Sequence, residues 1–287
     1  MTSDGGARVD EEAIEASGLE RAGGHHSLGG YVRLLWRRRA YLWHVPRSEL
    51  AAQEMNTVLG NAWHLLNPAL AIAVYYVIFG VILDASRGSD NYIGFLTAGV
   101  FVFQYSQRSI TNGANSITNN LGLIRSIQFP RALLPLSLTV RNLLQHIPAL
   151  AVAMVMVLIT GEGITPWWLL LPSAIALQTV FNAGMSLAAA RAAHTLPDIA
   201  NLLPFLFRLL FYGSGILFVV ESRVEGAWLW VFRLNPFYDM VEIHRSILLD
   251  ERIDPIVLVL AVVWTVVAAL VGLIWFHRDE AFYGSKS

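Results

Sequence analysis

Asp239 and Glu242 are the acids best placed for catalysis in this chain. Both fall in a loop between apolar runs, where a membrane glycosyltransferase would keep metal-binding or proton-transferring carboxylates. A membrane protease needs a nucleophile with a base, or paired aspartates within the membrane. Ser214 stands between glycines in YGSG, residues 212–215, but the apolar run that follows has no histidine in its middle and His277 lies at its boundary. Gly213 and Gly215 read instead as sites of close helix packing. No H-E-x-x-H zinc motif occurs, and His25 and His26 have no other ligand cluster nearby. A P-loop needs a lysine at its phosphates, and the only lysine, Lys286, is next to last. The absence of cysteine excludes disulfides, thiolate metal sites and cysteine nucleophiles.

Arginines carry the rest of the possible chemistry. Arg141 and Arg208 fall inside apolar runs, where a guanidinium is costly and faces a cavity or a partner. Each fits a phosphate group, or a side chain snorkelling to the interface. Arg125 and Arg131 flank a short segment, NNLGLIRSIQFPRALLPL (residues 119–136), between two long apolar runs. Leu121, Leu123, Ile124, Ile127 and Phe129 offer apolar knobs there, and the two arginines can pair with acids on a partner or with phospholipid headgroups. Pro130 ends the short helix and sets the next run at an angle.

The elements that position these residues are membrane helices. The chain is 55% hydrophobic and only 14% charged, against about 25% charged in a soluble domain. A net charge of −1 gives no bulk attraction to nucleic acid. A spanning helix needs about 20 mostly apolar residues. Six stretches qualify: 63–83, 92–109, 132–159 (tilted or broken near Pro148), 167–190, 199–220 and 256–276. None contains an Asp or Glu, which disfavours proton-coupled transport. The expected fold is an all-α integral membrane protein of six transmembrane helices, with no internal repeat.

Residues 1–30 are acidic, Gly-rich and disordered in expectation, without the apolar core of a signal peptide. Residues 31–60 hold an interfacial helix and connector: Tyr31, Leu34, Leu35, Tyr41, Leu42 and Val45 share one face, Trp36 and Trp43 flank it, and Arg33, Arg37 and His44 lie opposite, with Arg38 alongside. Residues 61–277 form the six-span domain and 278–287 a tail. Arginine bias places both termini in the cytoplasm: Arg33, Arg37, Arg38, Arg39 and Arg47 precede span one, Arg125, Arg131 and Arg191 follow spans two and four, and Arg278 and Lys286 end the chain. The first outer loop has only Arg87 and the second has none. The last outer loop, 221–255, is discordant, with Arg223, Arg233, Arg245 and Arg252. It reads as two short helices joined at Asn235-Pro236, dipping into the outer leaflet or capping a cavity.

Three stretches resemble, in order and spacing, permease subunits of ABC-type polysaccharide exporters, the Wzm-like family of O-antigen, teichoic acid and galactan export. They are LGNAWHLLNPALAIAVYYVIFGVIL (59–83), the 119–136 segment, and NPFYDMVEIHRSILL (235–249). The resemblance covers the chain after about residue 31, and the acidic tail departs from it. It implies a homodimer in the bacterial cytoplasmic membrane, with two separate P-loop ATPase subunits that bind ATP and Mg, and no cofactor in this chain. Residues 121–131 become the coupling element. Lipid-linked glycan enters laterally between spans one and five, past aromatics drawn from Tyr75, Tyr76, Phe79, Phe101, Phe103, Tyr105, Phe205, Phe211 and Tyr212, with Arg208 among them. Trp228, Trp230, Asn235, Pro236, Phe237 and Tyr238 form an external gate. A drug or small-lipid exporter and a membrane enzyme of lipid-linked sugar metabolism are the alternatives.

Overall fold

The computed structural model describes residues 27–54, 62–82, 91–220, 222, 224, 226–249, 252–280 and 283. Every regular element among them is helical. Most of the acidic tail, His25, His26, Arg87, Arg223 and Lys286 lie outside the described residues. Helices α1 (Leu28–Arg37) and α2 (Arg39–Glu54) precede α3 (Ala62–Tyr75), which runs on as a π-helix, Tyr76–Ile82. Then come α4 (Tyr92–Ala114), α5 (Leu121–Ser126), α6 (Leu133–Ile159), α7 (Leu171–Thr195, entered by a 3-10 turn Pro166–Leu170), α8 (Asp198–Gly213), α9 (Trp228–Arg233), α10 (Pro236–Leu248) and α11 (Pro255–Arg278).

Three of these helical stretches are long and apolar enough to cross a membrane: Leu133–Ile159, Pro166–Thr195 and Pro255–Arg278. Pro148 does not break α6, which continues for 27 residues, about 40 Å. The remaining expected spans differ from simple apolar rods. α4 is enclosed by α6, α7 and α10, and nearly all of it is buried. A helix surrounded by protein can carry polar groups that lipid would penalise. Gln178 of α7 accordingly donates to Val102 O (2.7 Å) and Ser106 Oγ (2.9 Å), Tyr105 donates to Thr179 Oγ1 (2.9 Å), and Asn112 donates to Asn142 of α6 (3.2 Å).

The fifth stretch ends early. α8 stops at Gly213, and residues 214–220 are not helical although the apolar pattern runs through them. Gly215 has φ +62°, a left-handed turn that a side chain resists, and this is its role. Gly213 meets nothing where a Cβ would stand, so it does not serve the close helix packing expected of YGSG, whereas a Cβ on Gly215 would run into Val220. That packing occurs between α7 and α11. A Cβ on Gly184 would overlap the Ala268 backbone, and one on Gly272 would overlap Gly184 O. The two helices touch backbone to backbone, which dispersion between lipid-like surfaces favours.

The amphipathic segment folds as two helices. Ser27 opens α1 by accepting from the Gly30 amide (3.3 Å). Tyr31 is buried and Leu34, Leu35, Tyr41, Leu42 and Val45 are half-buried, while Trp36 and Trp43 stay exposed beside them. Arg39 and Arg47 stack on those two rings, 5.1 and 4.0 Å from the centroids. Arg37 and Arg38 are exposed.

Candidate coupling site and gate

At one end of the bundle, α5 bridges α4 and α6. Asn120 Nδ2 closes the preceding turn on Ser116 O (2.8 Å), and the chain leaves α5 extended at Ile127. Six residues are too few for a helix to stand alone in water, and packing holds this one. Ile124 is buried, and Leu121, Leu123 and Phe129 pack half-buried on a cluster with Tyr31, Ile117, Ala132, Leu134, Leu187, Phe276 and Tyr283. Four of the five expected knobs therefore hold the element in place. The outward face is Gly122, Arg125, Ser126, Ile127 and Gln128, with Ile127 54% exposed. Arg131 turns inward: its amide donates to Glu280 Oε1 (2.7 Å) and its guanidinium to Glu280 O.

The same end gathers both described chain ends. Ala132 N donates to the Tyr31 hydroxyl (3.3 Å), and Tyr31 stacks against His277 at 4.5 Å between centroids. Burial first, then the Glu280 charge, raises the Tyr31 hydroxyl above the ordinary tyrosine range, so it stays protonated. Arg191 pairs with Asp279.

The expected channel aromatics divide into two sets. Phe101, Phe103, Tyr105 and Phe211 belong to the interior of this chain. Phe103 sits edge-on to Phe207, Phe211 and Phe237, with centroids 6.0, 5.6 and 5.7 Å away, and Tyr105 stacks on His146 at 4.9 Å. Phe205, Arg208 and Tyr212 share the outward face of α8, with the Arg208 guanidinium 6.0 Å from the Phe205 ring. Tyr75, Tyr76 and Phe79 are half-buried, and Tyr75 meets Phe211 at 5.5 Å, bringing the first and fifth stretches together. Arg141 is not aimed at a cavity; it pairs with Glu49 of α2 at 3.3 Å.

At the opposite end, α10 is inserted into the bundle instead of lying on it. Asn235 caps it, Oδ1 accepting from the Phe237 amide (3.0 Å), and its Nδ2 ties the helix start to Ser214 Oγ (2.8 Å). Pro236 follows at the first helical position, where a missing N–H costs nothing. Phe237 and Tyr238 are buried; Trp228 and Trp230 of α9 are exposed. Arg245 is the residue the sequence reading mistook for a loop charge. It is 1% exposed, donates to Phe95 O (3.1 Å), Gly215 O (3.0 Å) and Ile216 O (2.8 Å), and lies 3.5 Å from the Phe95 centroid. A Cβ at Gly99 would collide with its guanidinium. The Tyr92 hydroxyl takes the next carbonyl, Leu217 O, at 2.8 Å. The irregular stretch after α8 thus has its backbone carbonyls satisfied by side chains, as burial demands. The discordant loop loses much of its charge bias: Arg245 is interior, and Arg233 pairs with Asp254 at 2.7 Å. Only the chance pairing of a mid-helix glycine with an arginine far along the chain would have signalled this. Asp239 is fully buried with neither carboxylate oxygen hydrogen-bonded, and Glu242 is half-buried.

The described residues form a helical bundle with three helices long and apolar enough to cross a membrane, a short packed helix at one end and an inserted helix at the other. The chain belongs to the ABC-2 type transporter family, whose profile matches residues 47–249. Among curated relatives, an O-antigen export system permease protein RfbA from Myxococcus xanthus is 25% identical over 253 residues, 87% of this chain and 96% of the relative. An RfbA of the same description from Klebsiella pneumoniae is 24% identical, covering 82% and 90%. The polysialic acid transport protein KpsM of Escherichia coli is 26% identical, covering 79% and 89%.

Proposed function

We propose that this chain is the permease subunit of an ATP-driven exporter that carries a lipid-linked polysaccharide across the bacterial cytoplasmic membrane. The observation that carries the reading is α5: a six-residue helix with a buried base and an outward face bearing Arg125 and Ile127. Such an element suits docking in a groove of a P-loop ATPase, which would supply the ATP and Mg chemistry this chain lacks. The names of the relatives support a polysaccharide cargo. Six spans, both termini cytoplasmic, and a homodimer with two ATPase subunits complete the proposal. Tyr31, Arg131 and Glu280 meet at the α5 end, in keeping with both termini on one side. The exposed Phe205, Arg208 and Tyr212 on α8 are the residues offered to a glycan and its lipid phosphate. The enzyme alternative is weakened by Asp239, whose buried carboxylate presents no surface to a sugar donor. Teichoic acid, O-antigen and cell-wall galactan are the cargo candidates.

The test is co-purification in lipid with the cognate ATPase. Arg125→Glu combined with Ile127→Ala should leave the bundle folded and abolish ATPase capture. Cells depleted of the chain should accumulate lipid-linked polymer on the cytoplasmic side. Normal capture by the variant, or no accumulation, would overturn the reading.

A further inference from the structure

We infer that Asp279, Glu280 and Tyr283, which follow α11, act together as a strap, a positioning device that makes α11 move with α5; the inference rests on the reading of α5 as the ATPase-docking element. These residues tie the chain beyond α5, the end of α7 and the end of α11 together at the foot of the bundle. Glu280 holds the chain just beyond α5 by accepting from the Arg131 amide (2.7 Å) and, through its carbonyl, from the Arg131 guanidinium. Asp279 holds the end of α7 through Arg191. Tyr283 folds back so that its hydroxyl donates to Phe276 O (2.9 Å), and it has no exposed surface. Ile124, the buried base of α5, shares one apolar cluster with Phe276 and Tyr283.

These contacts have a mechanical consequence. α5 itself has a single buried anchor and too few turns for rigidity. A push on its outer face reaches the bundle through whatever its base and its C-terminal neighbour touch. The base shares its apolar cluster with Phe276 in α11's last turn, and the neighbour is hydrogen-bonded to Glu280. Both α1, through Tyr31 on Ala132, and α11 are therefore loaded before α6 begins at Leu133. The Arg131 guanidinium meets the Glu280 backbone carbonyl, and the Glu280 carboxylate takes the Arg131 amide.

The chain has no cysteine, so single cysteines can carry spin labels without background. One nitroxide goes at Gly122→Cys, where a side chain meets open space, and another at Val259→Cys, 59% exposed near the far end of α11. Each is read in wild type, Glu280→Ala and Glu280→Gln, in lipid, before and after adding the cognate ATPase with ATP and vanadate. The expected result is a spectral shift at both labels in wild type and in Glu280→Gln, which keeps an acceptor for the Arg131 amide. In Glu280→Ala the Gly122 shift persists and the Val259 shift is lost. Should Glu280→Ala aggregate, Arg131→Met, which removes the guanidinium tie to Glu280 O, is read in its place with the same expectation. A full Val259 shift in the strap variant overturns the inference alone. So does loss of both shifts with the ATPase still bound, since that is what a merely structural residue would give. A wild-type Gly122 label that ignores ATPase and ATP overturns the coupling reading, and this inference with it.

Discussion

The two ends of the bundle are fastened in different ways. At the α10 end, one arginine with 1% exposure binds three backbone carbonyls from two segments, and the Asn235 cap fixes the helix start. At the α5 end, the charged ties, Glu280 to Arg131 and Asp279 to Arg191, are partly exposed, and only the neutral Tyr31–Ala132 bond is buried. Buried, multiply hydrogen-bonded charges are costly to disturb, whereas partly solvated pairs exchange with water at little cost. The difference points to one end that holds its geometry and one that can be pulled.

Three substitutions would break or sharpen that contrast. Arg245→Met should have the largest effect, since it strips the donor from Gly215 O and Ile216 O, two buried carbonyls outside any helix, and the extra donor from Phe95 O. A loss of about 3 kcal/mol or more is expected, read as a steep fall in Tm in detergent. If Arg245→Met melts like wild type, the α10 end is not the rigid one. Asp239→Asn should act through pH. α10 lies between the last two proposed spans, and burial pushes the Asp239 carboxyl up to about 8. Its folded value exceeds the unfolded one, so the native state takes up a proton between about pH 4 and 8 and wild-type stability falls as pH rises through that window. The Asn variant should lack that slope, giving a higher Tm than wild type at pH 7.5 and near-equality at pH 4. Parallel Tm–pH curves would refute the burial argument. The smallest effect belongs to Glu49→Gln, on the α5 half of the bundle. The Glu49–Arg141 pair is 47% and 22% exposed, and its loss should cost no more than about 1 kcal/mol. A loss there matching that of Arg245→Met would erase the distinction.

Helix existence was legible because apolar runs of membrane length have few other uses. The Asn235-Pro236 start of α10 and the short helix at Leu121 were legible because caps, prolines and polar punctuation act locally. What each helix faces was not. Lipid and protein interior are both apolar, so Phe103 in the core and Phe205 on the outer face look alike in sequence. The end of α8 was hidden for the same reason: Ile216, Leu217 and Val220 continue the apolar run while Gly215 turns the chain. The proposed coupling surface was half legible. The segment was located, but which side of it was outward depended on Phe276 and Tyr283, more than 140 residues away. Glu280 gave no signal at all, because an acid in a polar tail has no pattern to stand out from.

The π-helical stretch Tyr76–Ile82 sets the rotational phase of the first proposed span. Each of its turns holds more residues than an α-turn, so the side chains beyond it are out of step with those before. Retightening one such turn would swing Phe79 around the helix axis relative to Tyr75, the residue now resting on Phe211. The wall between the first and fifth stretches could then change its lining by a twist, with no helix needing to tilt or slide.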